Sequence, residues 1–181
     1  DHRELHSLRR RQRQMCIRDR SIPPGSDGLI IIPYLRGQRS PKFNPLARGV
    51  IYGLSIFHTK YHFYRAVLEA FAYTVRYGLE KAEKLGITPR RLVATGGGAK
   101  SSLWRQIVSD VTGYPQDYVE AADASLGDAF MAGLGIGIFK NIEDIYTWIE
   151  ISSTTIPNPL NKEIYEKYYN EFVKLHELLY P

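Results

Sequence analysis

Residues 90–101 read Arg90-Arg91-Leu92-Val93-Ala94-Thr95-Gly96-Gly97-Gly98-Ala99-Lys100-Ser101, and the sense of this stretch decides the fold. Arg90–Thr95 has an apolar centre of strand length, which predicts a strand. Three glycines end it. Ser101 or Ser102 can then cap a helix running to Val111, which Thr112 and Gly113 close. A strand passing through a turn into a helix is an α/β unit. Consecutive glycines let the backbone reach positive φ and let a ligand approach main chain with no Cβ in the way.

The flanking sequence continues the alternation. Gly28–Leu35 is a continuous apolar run with three isoleucines, hence a buried strand. Arg36–Arg48 reads as loop, and Gly49–Leu54 as a second strand or strand-like turn. His62–Leu85 carries the longest helical pattern. Phe63, Ala66, Val67, Ala70, Phe71, Thr74 and Tyr77 recur at three- and four-residue steps and predict one apolar face, with Gly86 as the stop. After the glycine turn come a short strand, Gln116–Glu120, and a small-residue helix, Ser125–Phe139. Two further helices follow, Asn141–Glu150 and Lys162–Leu179, parted by a Pro-containing loop, Ile156–Leu160. There is no internal repeat and no low-complexity segment. The fold class is α/β.

The chain has 181 residues, room for one ordinary domain or two small ones. With 44% apolar and 12% aromatic residues it can bury a core, which excludes wholesale disorder. Its net charge of +5 would raise nucleic acid or acidic lipid as a partner. The distribution of charge argues otherwise. Residues 1–20 hold seven arginines against three acids, while residues 21–181 carry 17 bases and 16 acids. The basic character therefore belongs to an N-terminal arm. That arm has no aromatic residue for base stacking and too many acids for a mitochondrial presequence. It reads first as a non-native lead-in joined to a truncated gene, and otherwise as a disordered arm or a nucleic-acid arm. Ser21–Gly28 reads as loop. The single cysteine, Cys16, also lies in the arm, so an internal disulfide is impossible, which fits a reducing, cytoplasmic setting. No apolar stretch approaches the roughly 18 residues of a membrane span, and the arm lacks the apolar region of a secretory signal.

The glycine turn has a chemistry of its own. A helix N-terminus after it offers free N–H groups and a positive dipole end, suited to a phosphate. Such a contact contributes roughly 0.3–2 kcal/mol, enough to position a ligand but short of a complete site. Two phosphate-loop patterns fail. A P-loop needs glycine before its lysine and another five residues earlier, where this chain has Ala99 and Ala94. A G-x-G-x-x-G fingerprint needs glycine where Ser101 stands. A tight βα turn that packs helix onto sheet without any ligand is the competing reading.

Several blocks taken in order carry a wider resemblance. They are Pro33–Pro41 (Pro-Tyr-Leu-Arg-Gly-Gln-Arg-Ser-Pro), Asn44–Leu54, Arg65–Glu69 (Arg-Ala-Val-Leu-Glu), Gly96–Ser101 with Leu103–Gln106 and Asp110–Gly113, and Leu126–Ala129. Their sequence and order resemble the C-terminal half of the FGGY carbohydrate kinases, over about residues 28–140, with the xylulokinase members the most similar. The resemblance implies an actin-like ATPase fold of the ribonuclease-H type, incomplete here, with residues 21–181 forming the C-terminal nucleotide-binding lobe and its helices. It implies that ATP or ADP lies against Gly96, Gly97, Gly98 and Ala99, and that Lys100 and Ser101 open the helix flanking the base. The implied reaction is in-line transfer of the γ-phosphoryl of ATP to a sugar hydroxyl. Mg²⁺ would offset phosphate charge and an Asp would take the hydroxyl proton. In the family that Asp and a Gly-Thr phosphate turn lie upstream of the Pro-Tyr-Leu block, so no catalytic residue is assigned here. This chain is expected to be inactive alone. The sugar would be held mainly by an N-terminal lobe, a xylulose-like pentulose being favoured, and the full-length enzyme could form a homodimer. No nucleic-acid or membrane partner is implied. A non-catalytic actin-like nucleotide-binding scaffold and a nucleic-acid binder acting through the arm remain as alternatives.

Other residues have plainer readings. Gln38 stands where the family usually has an acid, which removes a charge near the cleft. Arg39 ties loops together or faces phosphate, Arg48 is structural, and Glu69 is a satisfied buried or hinge-facing carboxylate more readily than a ligand. Asp110 is a solvent-facing helix residue, and neither it nor Asp128 matches the family's base. Trp104 belongs to the core more readily than to an adenine stack. Gly127, Gly133, Gly135 and Gly137 suggest close helix packing rather than phosphate binding, with the Gly127 region able to border the base. His58 and His62 sit four residues apart, but with no third ligand in view they make a weak metal site. Tyr165, Tyr168, Tyr169, Phe172 and Leu175 form a core stripe.

Overall fold

A computed structural model describes residues 22–120 and 124–181. The readings made of the arm, residues 1–20 with Cys16, lie outside the described residues. Strand β1 (Ile30–Ile32) pairs antiparallel with β2 (Val50–Tyr52), with Ile31 opposite Ile51. Helix α1 (Lys60–Glu83) follows. Thr59 caps it, accepting from the Tyr61 amide, while His62 Nδ1 accepts from the Thr59 amide at 3.1 Å. This is a capping box with histidine in the place usually held by Glu or Gln. Gly86, at φ 82°, turns the chain away.

Strand β3 (Leu92–Ala94) runs parallel to β4 (Gln116–Tyr118), and β4 pairs antiparallel with β5 (Ser153–Thr155). Between β3 and β4 lie a one-turn helix α2 (Gly96–Ala99) and helix α3 (Ser102–Thr112), which ends on left-handed Gly113. Helix α4 (Ala124–Gly135), two 3-10 turns (Ile142–Thr147 and Pro159–Asn161) and helix α5 (Lys162–Leu179) complete the chain.

The core lies where β1, α1, α3 and α5 meet. Ile30 and Ile32 pack with Ala72, Tyr73 and Tyr77 of α1, Ile107, Val108 and Val111 of α3, and Tyr165, Tyr169 and Phe172 of α5. Tyr73 stands at the centre, its ring 5.5 Å from Phe172 and 6.5 Å from Tyr165. These distances are in the range where aromatic pairs add to plain area burial. Phe130, Phe139 and Trp148 form a separate small cluster beside α4.

The differences from expectation have physical causes. The buried face of α1 is Arg65, Ala66, Glu69, Ala70, Ala72, Tyr73 and Tyr77, whereas Val67 and Phe71 are exposed, Phe71 at 47%. An internal ion pair at Arg65 and Glu69 draws the helix round so that polar residues face inward. The helix expected over Asn141–Glu150 is the 3-10 segment, held by an Asn141–Asp144 capping box. Strand β5 was not anticipated; its residues Ser153, Thr154 and Thr155 have no apolar periodicity, and it is an edge strand paired on one side. Asp110 is buried, not solvent-facing. It accepts from Gln106, from the Asn158 amide and from Asn161 at 2.7 Å each, and so anchors the loop before α5. Of the four α4-region glycines only Gly133 is packed closely, its missing Cβ replaced by the Phe139 ring; Gly127 and Gly135 face open space.

Candidate functional site at the glycine turn

Three glycines in the turn serve three different ends. Gly96 has φ 79°, a left-handed conformation that turns β3 into α2 and that other residues resist. A Cβ on Gly98 would stand 2.7 Å from the Trp104 ring, so this glycine makes room for the tryptophan. Gly97 has neither reason. Its φ is not positive, it is exposed, and nothing lies within 4 Å of where its Cβ would be. Inside a helical turn a glycine is less favourable than alanine by about 1 kcal/mol. Neither backbone strain nor a close neighbour accounts for glycine at 97, and its main chain lies open to the outside. Only Gly96 of the three uses positive φ, which narrows the general argument made from the sequence.

Ala99 is buried and plugs the turn onto the protein. Lys100 is exposed at its end. Ser101 caps α3, its hydroxyl accepting from the Trp104 amide at 3.3 Å. The structure thus brings Gly96, Gly97, Gly98, Ala99, Lys100 and Ser101 onto one continuous corner at the C-terminal end of β3. The first N–H groups of α2 have no partner within so short a helix. Trp104 packs under Gly98 and against the core, in keeping with the core reading.

Two residues not singled out in the sequence complete the corner. Arg105 Nη1 donates to the carbonyl of Ala99, and its guanidinium lies 4.3 Å over the Tyr118 ring of β4. A cation in the first turn of a helix works against the helix dipole. That misplacement in α3 was the available signal.

Away from the turn, charge serves structure. Glu69, 1% exposed, accepts from the Gly25 amide, the Ser26 hydroxyl, Arg65 and Tyr165. Burial pushes its carboxyl above the usual carboxylate range, with Arg65 and the other donors pulling the other way. Asp117 accepts from Arg91 at 2.6 Å and Thr154 at 2.7 Å, which hold its carboxyl below the ordinary range. Gln38 is buried and accepts from His176 at 3.2 Å. The position of the missing acid is thus interior packing, not an open cleft. Burial lowers the His176 imidazole. Arg48 donates to the carbonyls of Pro45 and Ala47, a structural role, while Arg36 and Arg39 are exposed. His62 Nε2 reaches Asp27 at 3.0 Å, and His58 packs edge-on to it at 5.3 Å. Both Nδ1 atoms accept backbone amides, from Ser55 and Thr59. This pair is part of the cap of α1. Asp128 is exposed on α4. Among the described residues no three His, Cys, Asp or Glu side chains form a metal-binding group, and no helix is long and apolar enough to cross a membrane.

Comparison with known proteins places this corner in a wider setting. A family model described as the FGGY family of carbohydrate kinases, C-terminal domain, matches residues 8–136, from inside the basic arm to the end of α4. The chain is similar to the xylulose kinase of Staphylococcus epidermidis, 32% identical over 155 residues, covering 84% of this chain and 31% of that protein. It is similar to the gluconokinase of Bacillus subtilis, 40% identical over 116 residues, covering 62% of this chain and 22% of that protein. The crystal structure of xylulose kinase from Rhodospirillum rubrum superposes with a TM-score of 0.81 at 30% identity, over 94% of this chain and 34% of that one. The chain spans about a third of the length of the relatives it matches.

Proposed function

The chain belongs to the FGGY family of carbohydrate kinases, within the C-terminal domain and actin-like ATPase fold of that family, and from that premise we propose that Gly96–Ser101 is the nucleotide-contacting corner of an ATP-dependent sugar kinase. The observation that carries this reading is Gly97 at the corner between β3 and α3: an exposed, helical glycine with no neighbour within 4 Å of its missing Cβ, in the turn that the ordered family blocks include. Adenosine and its phosphates meet main chain there, against the free N–H groups of the first turn. Gly98 keeps the surface flat by admitting Trp104 beneath it. Lys100, exposed at the end of the turn, supplies positive charge toward phosphate, and Ser101 holds the start of α3 behind the base.

The reaction of the whole enzyme is transfer of the ATP γ-phosphoryl to a sugar hydroxyl, with a xylulose-like pentulose favoured because xylulose kinases recur among the relatives and solved structures. The setting is cytoplasmic. Mg²⁺ fits the nucleotide but not the described residues: these offer no cluster of hard ligands, so the ion would ride on the phosphates and on groups elsewhere. No base is assigned. Asp110 is spent on Gln106, Asn158 and Asn161, and Asp128 lies exposed on α4 without a partner role in the corner. On this reading the chain by itself binds nucleotide without completing transfer.

Calorimetry with ATP tests the reading. Gly97→Val should abolish measurable ATP binding in a chain that remains folded. Unchanged ATP affinity would overturn the assignment. Incubation of the chain with ATP and xylulose should yield no sugar phosphate; turnover would show that the chain holds its own base.

A further inference from the structure

A one-turn helix built from three glycines has no stability of its own. Nucleation fixes several dihedrals for one hydrogen bond, and glycine loses the most freedom of any residue. Yet the chain takes this helical turn, with the amides of Lys100 and Ser101 reaching the carbonyls of Gly97 and Gly98 at 3.4 and 3.1 Å. Something outside the turn must hold it.

The geometry points to Arg105 as the positioning residue of this turn, a clamp that keeps Gly96–Ala99 in the conformation a nucleotide meets. The inference rests on the nucleotide reading above and deepens it. From the first turn of α3 the side chain leans toward the N-terminus, as helical side chains do. Its Nη1 donates to Ala99, whose carbonyl ends α2 and has no helical partner. The cation thereby sits at the C-terminal end of α2, where a positive charge is favoured, at the expense of its own helix, where it is not. Its flat face rests on Tyr118, itself buried in β4. One side chain thus joins the turn, the helix after it and the central strand of the sheet. Trp104, under Gly98, fills the space behind.

Holding a flexible loop in its bound conformation raises affinity by removing an ordering cost, with apparent Kd scaling inversely with the competent fraction. Arg105 therefore acts on the whole nucleotide and not on its phosphates. This separates a clamp from a simple phosphate-binding cation, which would matter for ATP but not for adenosine.

The test uses the full chain in three forms: unaltered, Arg105→Met and Arg105→Lys. Amide hydrogen exchange without nucleotide should show Lys100 and Ser101 exchanging at least about tenfold faster in Arg105→Met, as expected when the competent fraction falls that far. Amides in the middle of α1 should not change. Affinities for ATP and for adenosine should fall together by a similar factor, and Arg105→Lys, which keeps a donor but loses the flat stack, should fall in between. Unchanged exchange in the turn would overturn the clamp. So would a loss of ATP affinity with adenosine unaffected. If Gly97→Val leaves ATP affinity intact, the nucleotide reading fails, while the exchange data still judge the clamp. If Gly97→Val abolishes binding and Arg105→Met alters nothing, the clamp alone fails.

Discussion

Two of the turns that enter the left-handed region, at Gly25–Gly28 and at Gly96, are each held by a charged side chain from a helix, but one is sealed and the other open. In the first, Gly25, Ser26, Asp27 and Gly28 all have positive φ. Ser26 and Asp27 are not glycines, so the conformation is strained. Glu69 offsets that strain by accepting from Gly25 and Ser26, and the Tyr168 ring fills the place of a Gly25 Cβ. In the second turn only Gly96 is left-handed, Arg105 does the holding, and Gly96 and Gly97 face empty space. The first device closes the interior between residues 22–28, α1 and α5. The second leaves bare main chain outside. A sealed turn tolerates non-glycine residues at strained angles because its surroundings determine them.

Breaking the seal should have the largest effect. Glu69→Ala leaves Arg65 buried without its carboxylate and should destabilise the protein by about 3–5 kcal/mol in chemical denaturation. A small loss would mean that the seal is not what holds the first turn. In the open turn, Gly98→Ala forces a methyl into the Trp104 ring and should cost about 1–3 kcal/mol, measured the same way and accompanied by a change in tryptophan fluorescence.

Acid sensitivity should come from a third place, the interior around His176 on α5. Burial lowers the His176 imidazole, and the charges facing it are Glu177 on its own helix and Lys81 and Lys42 from the elements packed against it. A group lowered in the folded state contributes stability above its unfolded value, near about 6.5, and loses it as pH falls through the folded value. Unfolding free energy should therefore decline as pH drops below about 6.5, and His176→Gln should flatten that slope. An equally steep slope in the variant would move the cause elsewhere. The smallest effect has the sharpest sign: Gly97→Ala should stabilise the chain by up to about 1 kcal/mol while weakening ATP binding. Stability and affinity moving in the same direction would remove the functional explanation of this glycine.

Much of this was legible in residues alone because it is local. Lys162–Leu179 carries a clean aromatic stripe and forms the helix over those residues. Ser101 and Gly113 mark the ends of α3, and Thr95–Ser101 marks the corner, since caps and glycines act within a few residues. The face of α1 was not legible. Phe71 and Val67 look like core until the structure turns Arg65 and Glu69 inward; the burial of Glu69 was anticipated, but not the loop of residues 22–26, which supplies three hydrogen-bond groups to the pair. The burial of Asp110 was hidden for the same reason: its partners, Asn158 and Asn161, stand some fifty residues away.

The sequence by itself determined the α/β class, the place of the glycine turn between strand and helix, and the family, because these rest on short-range patterns and ordered blocks. Only the tertiary structure decided what each glycine is for. The three are identical in sequence, and what separates them is what stands near the missing Cβ: strain in the backbone at Gly96, an indole at Gly98, and nothing at Gly97. It also decided the role of Arg105, since the Ala99 carbonyl and the Tyr118 ring that give it meaning come together only when α3 folds back against β4.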